Sequence, residues 1–146
     1  WDNLTMNAPQ ASWEEVLSLC EILGLREEIE ALPEGFYTKL SAQGMGLLRG
    51  FALHRILLVR ALLARPRLLI VDDIIPTVAP ETKMAVYRYL LAPERPYTAI
   101  IVSMDPKVMR LCDKVIFLDQ GRLIDVGSYD EIVQNERFID LYRQSL

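Results

Sequence analysis

The sequence predicts an α/β fold in which helices cover a parallel sheet, and three observations support this prediction. A long apolar-faced helical segment, an Arg-Pro-Arg break and a buried apolar strand follow one another over residues 48–73. Further along the chain, strand-like runs alternate with helical patterns, as in parallel sheets. The first strand ends in Asp72 and Asp73. Because carboxylates do not suit a strand interior, we expect them at its carboxyl end, the edge that opens onto the ligand crevice of such sheets.

Composition limits what the chain can be. Its 146 residues, 51% of them hydrophobic, suffice for one domain with a core but not for two full domains. The net charge of -4 gives no global basic field, so nucleic acid is not an expected partner. No apolar run approaches the roughly 20 residues that span a bilayer. The chain begins at Trp1 without a signal-peptide pattern, and we expect it to be a piece of a longer polypeptide.

The N-terminal part predicts helices. Ser12 and Glu15 form a capping box ahead of a helical apolar pattern, which Gly24 ends. Two further helices are predicted here, at residues 26–32 and 48–64. The loop between them covers residues 33–46. Together these segments predict a small helical lobe from the N-terminus to about residue 64.

Strands and helices then alternate from residue 68 onward. The predicted strands cover residues 68–72, 99–103 and 115–118, and the predicted helices cover residues 80–91 and 107–112. The turn at residues 119–121 leads into a partner strand at residues 122–126 and predicts a hairpin. Ser128 and Glu131 form a second capping box, which opens a helical tail.

These segments, taken together, resemble the C-terminal portion of the nucleotide-binding domain of an ABC transporter of the exporter type. Residues 48–73 match the run from the signature helix through the Walker B strand, and Asn3-Leu4, ALPEGFYT at residues 31–38 and the hairpin at residues 119–127 extend the match over nearly the whole chain. The resemblance implies a partial domain over residues 1–146. The P-loop, its strand and the Q-loop are expected upstream.

The fold that this resemblance implies is a portion of a P-loop NTPase (RecA-like) core with a parallel sheet, the ABC helical subdomain and a C-terminal β-hairpin. The helical subdomain is expected over about residues 1–64. The C-terminal part of the RecA-like core is expected over about residues 65–146.

The signature of the family, LSGGQ, brings a helix N-terminus close to the γ-phosphate of ATP. Arg49 stands here in place of the serine, Gly50 is kept, and Phe51 replaces the second glycine. Arg49 and Gly50 are therefore the remnant of a nucleotide-binding signature. Arg49 either meets a phosphate as a long cation or is a solvated or lobe-packing side chain.

The resemblance places the magnesium-side aspartate of the Walker B strand at Asp72 and the catalytic glutamate at Asp73. Aspartate is one methylene shorter than glutamate, and a displacement of about 1 Å can cost on the order of 100-fold in rate. We therefore expect Asp73 to support ATP hydrolysis poorly at the position that the resemblance assigns to the catalytic glutamate. Asp72 either holds Mg²⁺ through water or is a vestigial carboxylate that hydrogen-bonds locally.

Two further positions depart from the family pattern. The D-loop aspartate, which contacts the partner domain, corresponds to Ala79, which is also a poor N-cap for the helix predicted from residue 80. The H-loop histidine, which contacts the γ-phosphate, corresponds to Met104. Methionine neither donates a hydrogen bond to a phosphate nor shuttles a proton. We expect His54, the one histidine, to have a structural or surface role.

A basic run precedes the Walker B strand. Between Glu34 and Asp72 there is no acidic residue but there are six basic ones, namely Lys39, Arg49, Arg55, Arg60, Arg65 and Arg67. Two interpretations stay open. Arg55 and Arg60 match arginines that serve folding and lobe contacts in the family, whereas an anionic partner surface is the other explanation.

The resemblance implies the C-terminal portion of a catalytically degenerate ATP-binding domain of an ABC exporter, which couples nucleotide-dependent domain pairing to transport with absent or very slow ATP hydrolysis. ATP and Mg²⁺ are expected only together with the missing N-terminal half. The implied partners are a second ABC nucleotide-binding domain, in a homo- or heterodimer, and a transmembrane domain. The implied location is the cytoplasmic side of the membrane, as part of a membrane protein. The alternative is an interaction or regulatory module of the same fold that uses no nucleotide.

Overall fold

A computed structural model describes residues 1–40, 48, 52–72 and 80–144. The chain divides into two compact units, Trp1–Ile101 and Val102–Leu146, and each is described by itself. This division does not bear on the predicted boundary near residue 64 between a helical lobe and a core, which stays a prediction. Every helix in the described ranges is too short or too polar to span a bilayer.

Unit 1 begins with helices. They are α1 (Asp2–Thr5), α2 (Trp13–Ile22), α3 (Arg26–Glu30), a 3₁₀ turn (Gly35–Tyr37) and α4 (Ala52–Leu63). The predicted capping box is confirmed, because Ser12 Oγ accepts from the Glu15 amide at 3.2 Å and the Ser12 amide donates to Glu15 Oε2 at 2.9 Å. Gly24 follows α2 with a φ of +62°, in the left-handed region that glycine adopts without a Cβ penalty.

The core of unit 1 forms where α4 packs against α1 and α2, and α2 also packs against α5 (Pro80–Leu90). The side chains with the least exposure on these helices are apolar and recur at helical spacing. They include Val16, Cys20, Ile56, Val59, Val86 and Leu90. On α2 the apolar pattern of the sequence coincides with the buried residues Val16 and Cys20. On α4 it does not mark the buried face, because Arg55 is buried while Leu53 and Leu57 are exposed.

Strands β1 (Leu68–Asp72) and β2 (Thr98–Val102) pair beside each other and are joined through α5. The amide of Thr98, at the start of β2, donates to the carbonyl of Arg67, just before β1, at 3.0 Å. Two strands whose first residues lie side by side run parallel, so the predicted parallel α/β arrangement is confirmed. The expectation that β1 is buried throughout is wrong: Leu69 and Val71 are buried, but Leu68 and Ile70 are exposed, because alternate side chains point to opposite faces.

Unit 2 contains α6 (Pro106–Met109), β3 (Val115–Asp119), β4 (Arg122–Gly127), α7 (Tyr129–Ile132) and α8 (Glu136–Gln144). Strands β3 and β4 form the predicted antiparallel hairpin, and both turn residues, Gln120 and Gly121, have positive φ as a tight hairpin turn requires. The second capping box is confirmed at Ser128 and Glu131. A small core of Met109, Phe117, Ile132 and Phe138 holds the hairpin against the helices.

Candidate functional site

Asp72 is the last residue of β1, as the sequence predicts, and its side chain is exposed. It forms no hydrogen bond or ion pair with any described residue, so the alternative of a locally hydrogen-bonded, vestigial carboxylate gains no support within these ranges. A free carboxylate at a strand end fits the outer-sphere ligand of a hydrated Mg²⁺. Asp73 and Ala79, the neighbouring predicted positions, lie outside the described residues.

Asp72 does not make a metal site on its own. Across the described ranges, no group of three or more His, Cys, Asp or Glu side chains is arranged to hold a metal ion. Cations such as Mg²⁺ usually keep several waters and take one or two carboxylates together with phosphate oxygens. The exposed Asp72 carboxylate is of the kind that Mg²⁺ takes beside its waters and phosphate oxygens.

In unit 2, Met104 follows β2 after one intervening residue, Ser103, and 53% of its surface is exposed. The next residue, Asp105, is the N-cap of α6 and accepts from the amide of Lys107 at 2.9 Å. An exposed thioether at this strand end offers only a weak sulfur acceptor and no donor to an anion. The side chain that the resemblance places opposite a γ-phosphate is thus of the wrong chemical kind for that contact.

The predicted signature remnant, Arg49 and Gly50, lies outside the described residues. The helix that follows it, α4, is held by Arg55, which is 6% exposed. Its guanidinium donates to the carbonyls of Gly24 at 2.6 Å and Leu23 at 3.3 Å, and it pairs with Glu28 at 2.6 Å. The free carbonyls at the end of α2 are therefore satisfied by a side chain from α4.

Arg60 makes a second connection inside unit 1. It donates to the carbonyl of Asn3 at 2.7 Å and to the side-chain oxygen of Asn3 at 3.2 Å, which fixes α1 against α4. Arg65 pairs with Glu15 at 2.8 Å on the surface. Three of the basic residues in the run before Asp72 are thus engaged within the fold, which supports the structural interpretation for Arg55 and Arg60.

The partners of these arginines are residues that sequence reasoning missed. Asn3 and Glu28 lie far along the chain from Arg60 and Arg55. Asn3 belongs to a segment that carries the family resemblance, but nothing in the sequence assigns either residue to its arginine. The paired arginines at five-residue spacing on α4 were the only available signal, and that signal does not identify their partners. His54 lies exposed on the same helix, and its expected structural or surface role stays a prediction.

Neither cysteine has the environment of a nucleophile. Burial raises the pKa of the Cys20 thiol to about 12, and burial also raises the pKa of the half-buried Cys112 thiol. At neutral pH both are protonated, and the thiol form is a poor nucleophile and metal ligand. Neither thiol in the described part of the chain is therefore a candidate nucleophile.

Comparisons with known proteins agree on the kind of protein that carries such a fold. No protein-family model matches the chain. It is 35% identical over 130 residues, 89% of its length, to a multidrug efflux ATP-binding/permease protein of Mycobacterium bovis. It is 31% identical over 132 residues, 90% of its length, to an uncharacterized ABC transporter ATP-binding protein of Bacillus subtilis. The chain spans only 11% and 22% of the length of these two relatives.

Solved structures agree on the fold. The structure of a bacterial Atm1-family ABC exporter with ATP bound matches 99% of this chain, and 25% of its own chain, with a TM-score of 0.83 and 22% sequence identity. At that identity the match shows the fold alone, and it confirms the predicted α/β class.

Proposed function

Because this chain is homologous over most of its length to ABC exporter ATP-binding proteins, we propose that it is the C-terminal portion of a catalytically degenerate ATP-binding domain of such an exporter. In this proposal the chain couples nucleotide-dependent domain pairing to transport, and ATP hydrolysis at its own site is absent or very slow. The family and the fold support the first part, and the residues at the strand ends support the second.

Met104 is the observation that carries the proposal of degeneracy. Its exposed thioether stands at the end of β2, at the position that the family resemblance assigns to the H-loop histidine. A histidine there donates to a phosphate, whereas a thioether does not. The sequence adds three changes of the same kind: Asp73 for the catalytic glutamate, Arg49 for the signature serine and Ala79 for the D-loop aspartate.

Binding of ATP and Mg²⁺ is proposed only for a domain that also contains the phosphate-binding loop. Asp72 is the residue proposed to hold Mg²⁺ through water, and Arg49 and Gly50 are the proposed remnant of the nucleotide contact. The chain by itself has no Gly-rich loop with the P-loop spacing to cradle phosphates. We expect no ATP or Mg²⁺ site in this chain alone.

The proposed partners are a second ABC nucleotide-binding domain and a transmembrane domain, with the chain on the cytoplasmic side of the membrane as part of a membrane protein. The name of the mycobacterial relative, an ATP-binding/permease protein, supports this kind of assembly. The second nucleotide-binding domain is either a copy of the first, in a homodimer, or a different domain, in a heterodimer.

Binding of Mg-ATP, measured on the full-length protein and on this chain, tests the proposal. The full-length protein is expected to bind Mg-ATP, and the chain alone is expected to show a Kd no tighter than about 1 mM. Absence of Mg-ATP binding by the full-length protein contradicts the proposal and favours an interaction or regulatory module without nucleotide. Micromolar binding by the chain alone contradicts the expectation that the phosphate site lies elsewhere.

A further inference from the structure

A groove on unit 1 has the dimensions of a small-molecule site. It lies between the start of α2, the end of α4 and the segment that follows α5, and its volume is about 810 Å³. Sites for small organic ligands typically measure about 300 to 1,000 Å³ and combine apolar walls with a few polar groups. None of the positions that the family resemblance assigns to nucleotide lines this groove.

Its walls are apolar on the side of α4. Leu62, Leu63 and Pro66 come from the end of that helix and the turn after it, and Pro96 faces the groove from the segment before β2. Such walls favour a ligand with an apolar body, because the removal of apolar surface from water is favourable. This part of the groove selects for apolar surface but not for a particular shape.

The charges that line the groove favour an anion. Three arginines and two glutamates line it, and the surface pair of Arg65 with Glu15 neutralises one of each. No carboxylate of a described residue lies within ion-pair distance of Arg67. Arg95 stacks over the ring of Tyr89 at 3.9 Å and has only a long contact of 3.7 Å with Glu94.

Two donors in the lining have no acceptor among the described residues. Arg95 Nε and the hydroxyl of Tyr97 are buried atoms to which no described residue offers a hydrogen-bond partner. Burial raises the pKa of Tyr97, so this hydroxyl is a protonated donor at neutral pH. Buried donors without partners are rare in folded proteins because each costs free energy. Both atoms are donors, so the partner that each lacks is an acceptor such as a carboxylate oxygen.

We infer that this groove binds an amphipathic organic anion, whose carboxylate accepts hydrogen bonds from Arg95 and Tyr97 and whose apolar body lies against Leu62, Leu63 and Pro66. Because both donor atoms are buried, the inference requires their side chains to turn toward the groove when the carboxylate enters. The inference rests on the lining of unit 1 and not on the proposed ATP-related function, so either can fail without the other.

Calorimetric titration of the 146-residue protein with decanoate, below its micelle concentration, tests this inference. Decanol, which has the same chain without the charge, is the matched ligand. We expect one saturable decanoate site, with decanol at least about tenfold weaker, since a hydrogen bond to a charged group contributes roughly 1.5 to 3 kcal/mol. Tyr97→Phe keeps the ring and should weaken decanoate binding about tenfold, and Arg95→Gln should weaken it further.

Arg122→Gln is the control variant, because Arg122 is an exposed arginine on β4 in unit 2 and lies outside the groove. Its decanoate affinity should equal that of the unchanged protein. Thermal melts show whether each variant is folded, and Tyr97→Phe keeps the test decisive if Arg95→Gln unfolds. The inference is overturned if decanoate shows no saturable site, if decanol binds equally well, or if Tyr97→Phe leaves the affinity unchanged.

Discussion

The arginines of α4 and the residues at the strand ends are held in opposite ways. Arg55 is buried and bonded to two carbonyls and a carboxylate, and Arg60 is bonded twice to Asn3. Asp72, by contrast, is exposed and has no described partner, and Met104 is exposed with a side chain that donates nothing. The first group fixes the positions of helices, whereas the second contributes nothing that the described fold requires.

The difference shows that packing and chemistry depend on different residues of this chain. A helix stays in place as long as its buried contacts are made, whatever occupies the strand ends. The residues that face a crevice can therefore change their chemical kind while the fold persists. The fold alone therefore does not determine what the residues at the strand ends can do.

The largest expected effect is at Arg55. Arg55→Met removes the donor to Gly24 and Leu23 and leaves the partly buried Glu28 carboxylate without its cation, so the free energy of unfolding should fall by roughly 2 to 3 kcal/mol. Urea denaturation measures this. The matched control is Arg65→Met, since Arg65 and Glu15 form an exposed pair whose loss should cost less than about 1 kcal/mol. If both variants lose the same free energy of unfolding, the buried Arg55 contributes no more to stability than the exposed Arg65 does.

A smaller effect is expected from acid. The amide of Ser12 and then the Arg65 guanidinium hold the pKa of Glu15 below its ordinary value, so the folded state favours the ionised carboxylate. The stabilisation is therefore present above the unfolded pKa and is lost as pH falls through the lower folded pKa. Glu15→Gln should flatten the loss of stability on acidification in denaturation series from neutral to acidic pH. If Glu15→Gln loses stability on acidification as steeply as the unchanged protein does, the role given to Glu15 in the capping box is contradicted.

The smallest effect is expected at the end of β1. Asp72→Asn should change the free energy of unfolding by less than about 0.5 kcal/mol, because the carboxylate is exposed and no described residue bonds to it. Denaturation of this variant beside Arg55→Met measures the smallest and the largest expected change in the free energy of unfolding in one experiment. A loss of more than about 1 kcal/mol in the free energy of unfolding would mean that Asp72 stabilises the fold. The strand-end residues would then not differ from the arginines of α4 in this respect.

Local features of the fold were predictable from the sequence, and distant contacts were not. Each capping box is contained in four consecutive residues, so Ser12 and Ser128 could be identified without tertiary information. The contact of Arg60 with Asn3 joins residues that are 57 positions apart, and only the folded chain brings them together. Helix α1 was missed because its four residues carry no side-chain cap and no apolar period.

The candidate site was predictable to a similar degree. The strand that delivers Asp72 and the strand that ends before Met104 follow from apolar runs with polar ends, and the structure has both. Arg49, Gly50, Asp73 and Ala79 stay predictions, because they lie outside the described residues. The groove beside Arg95 and Tyr97 had no sequence signal, since it is assembled from three segments that are far apart in the chain.

ATP turnover by the full-length protein with and without Asp73→Asn tests the central claim most directly. This change keeps the size of the side chain and removes the carboxylate at the position of the catalytic glutamate. If the fold is kept and the chemistry of this site is lost, turnover should stay within about twofold of that of the unchanged protein, since the site already contributes little. A fall of about 100-fold, the size expected when a working catalytic base is removed, would contradict the account.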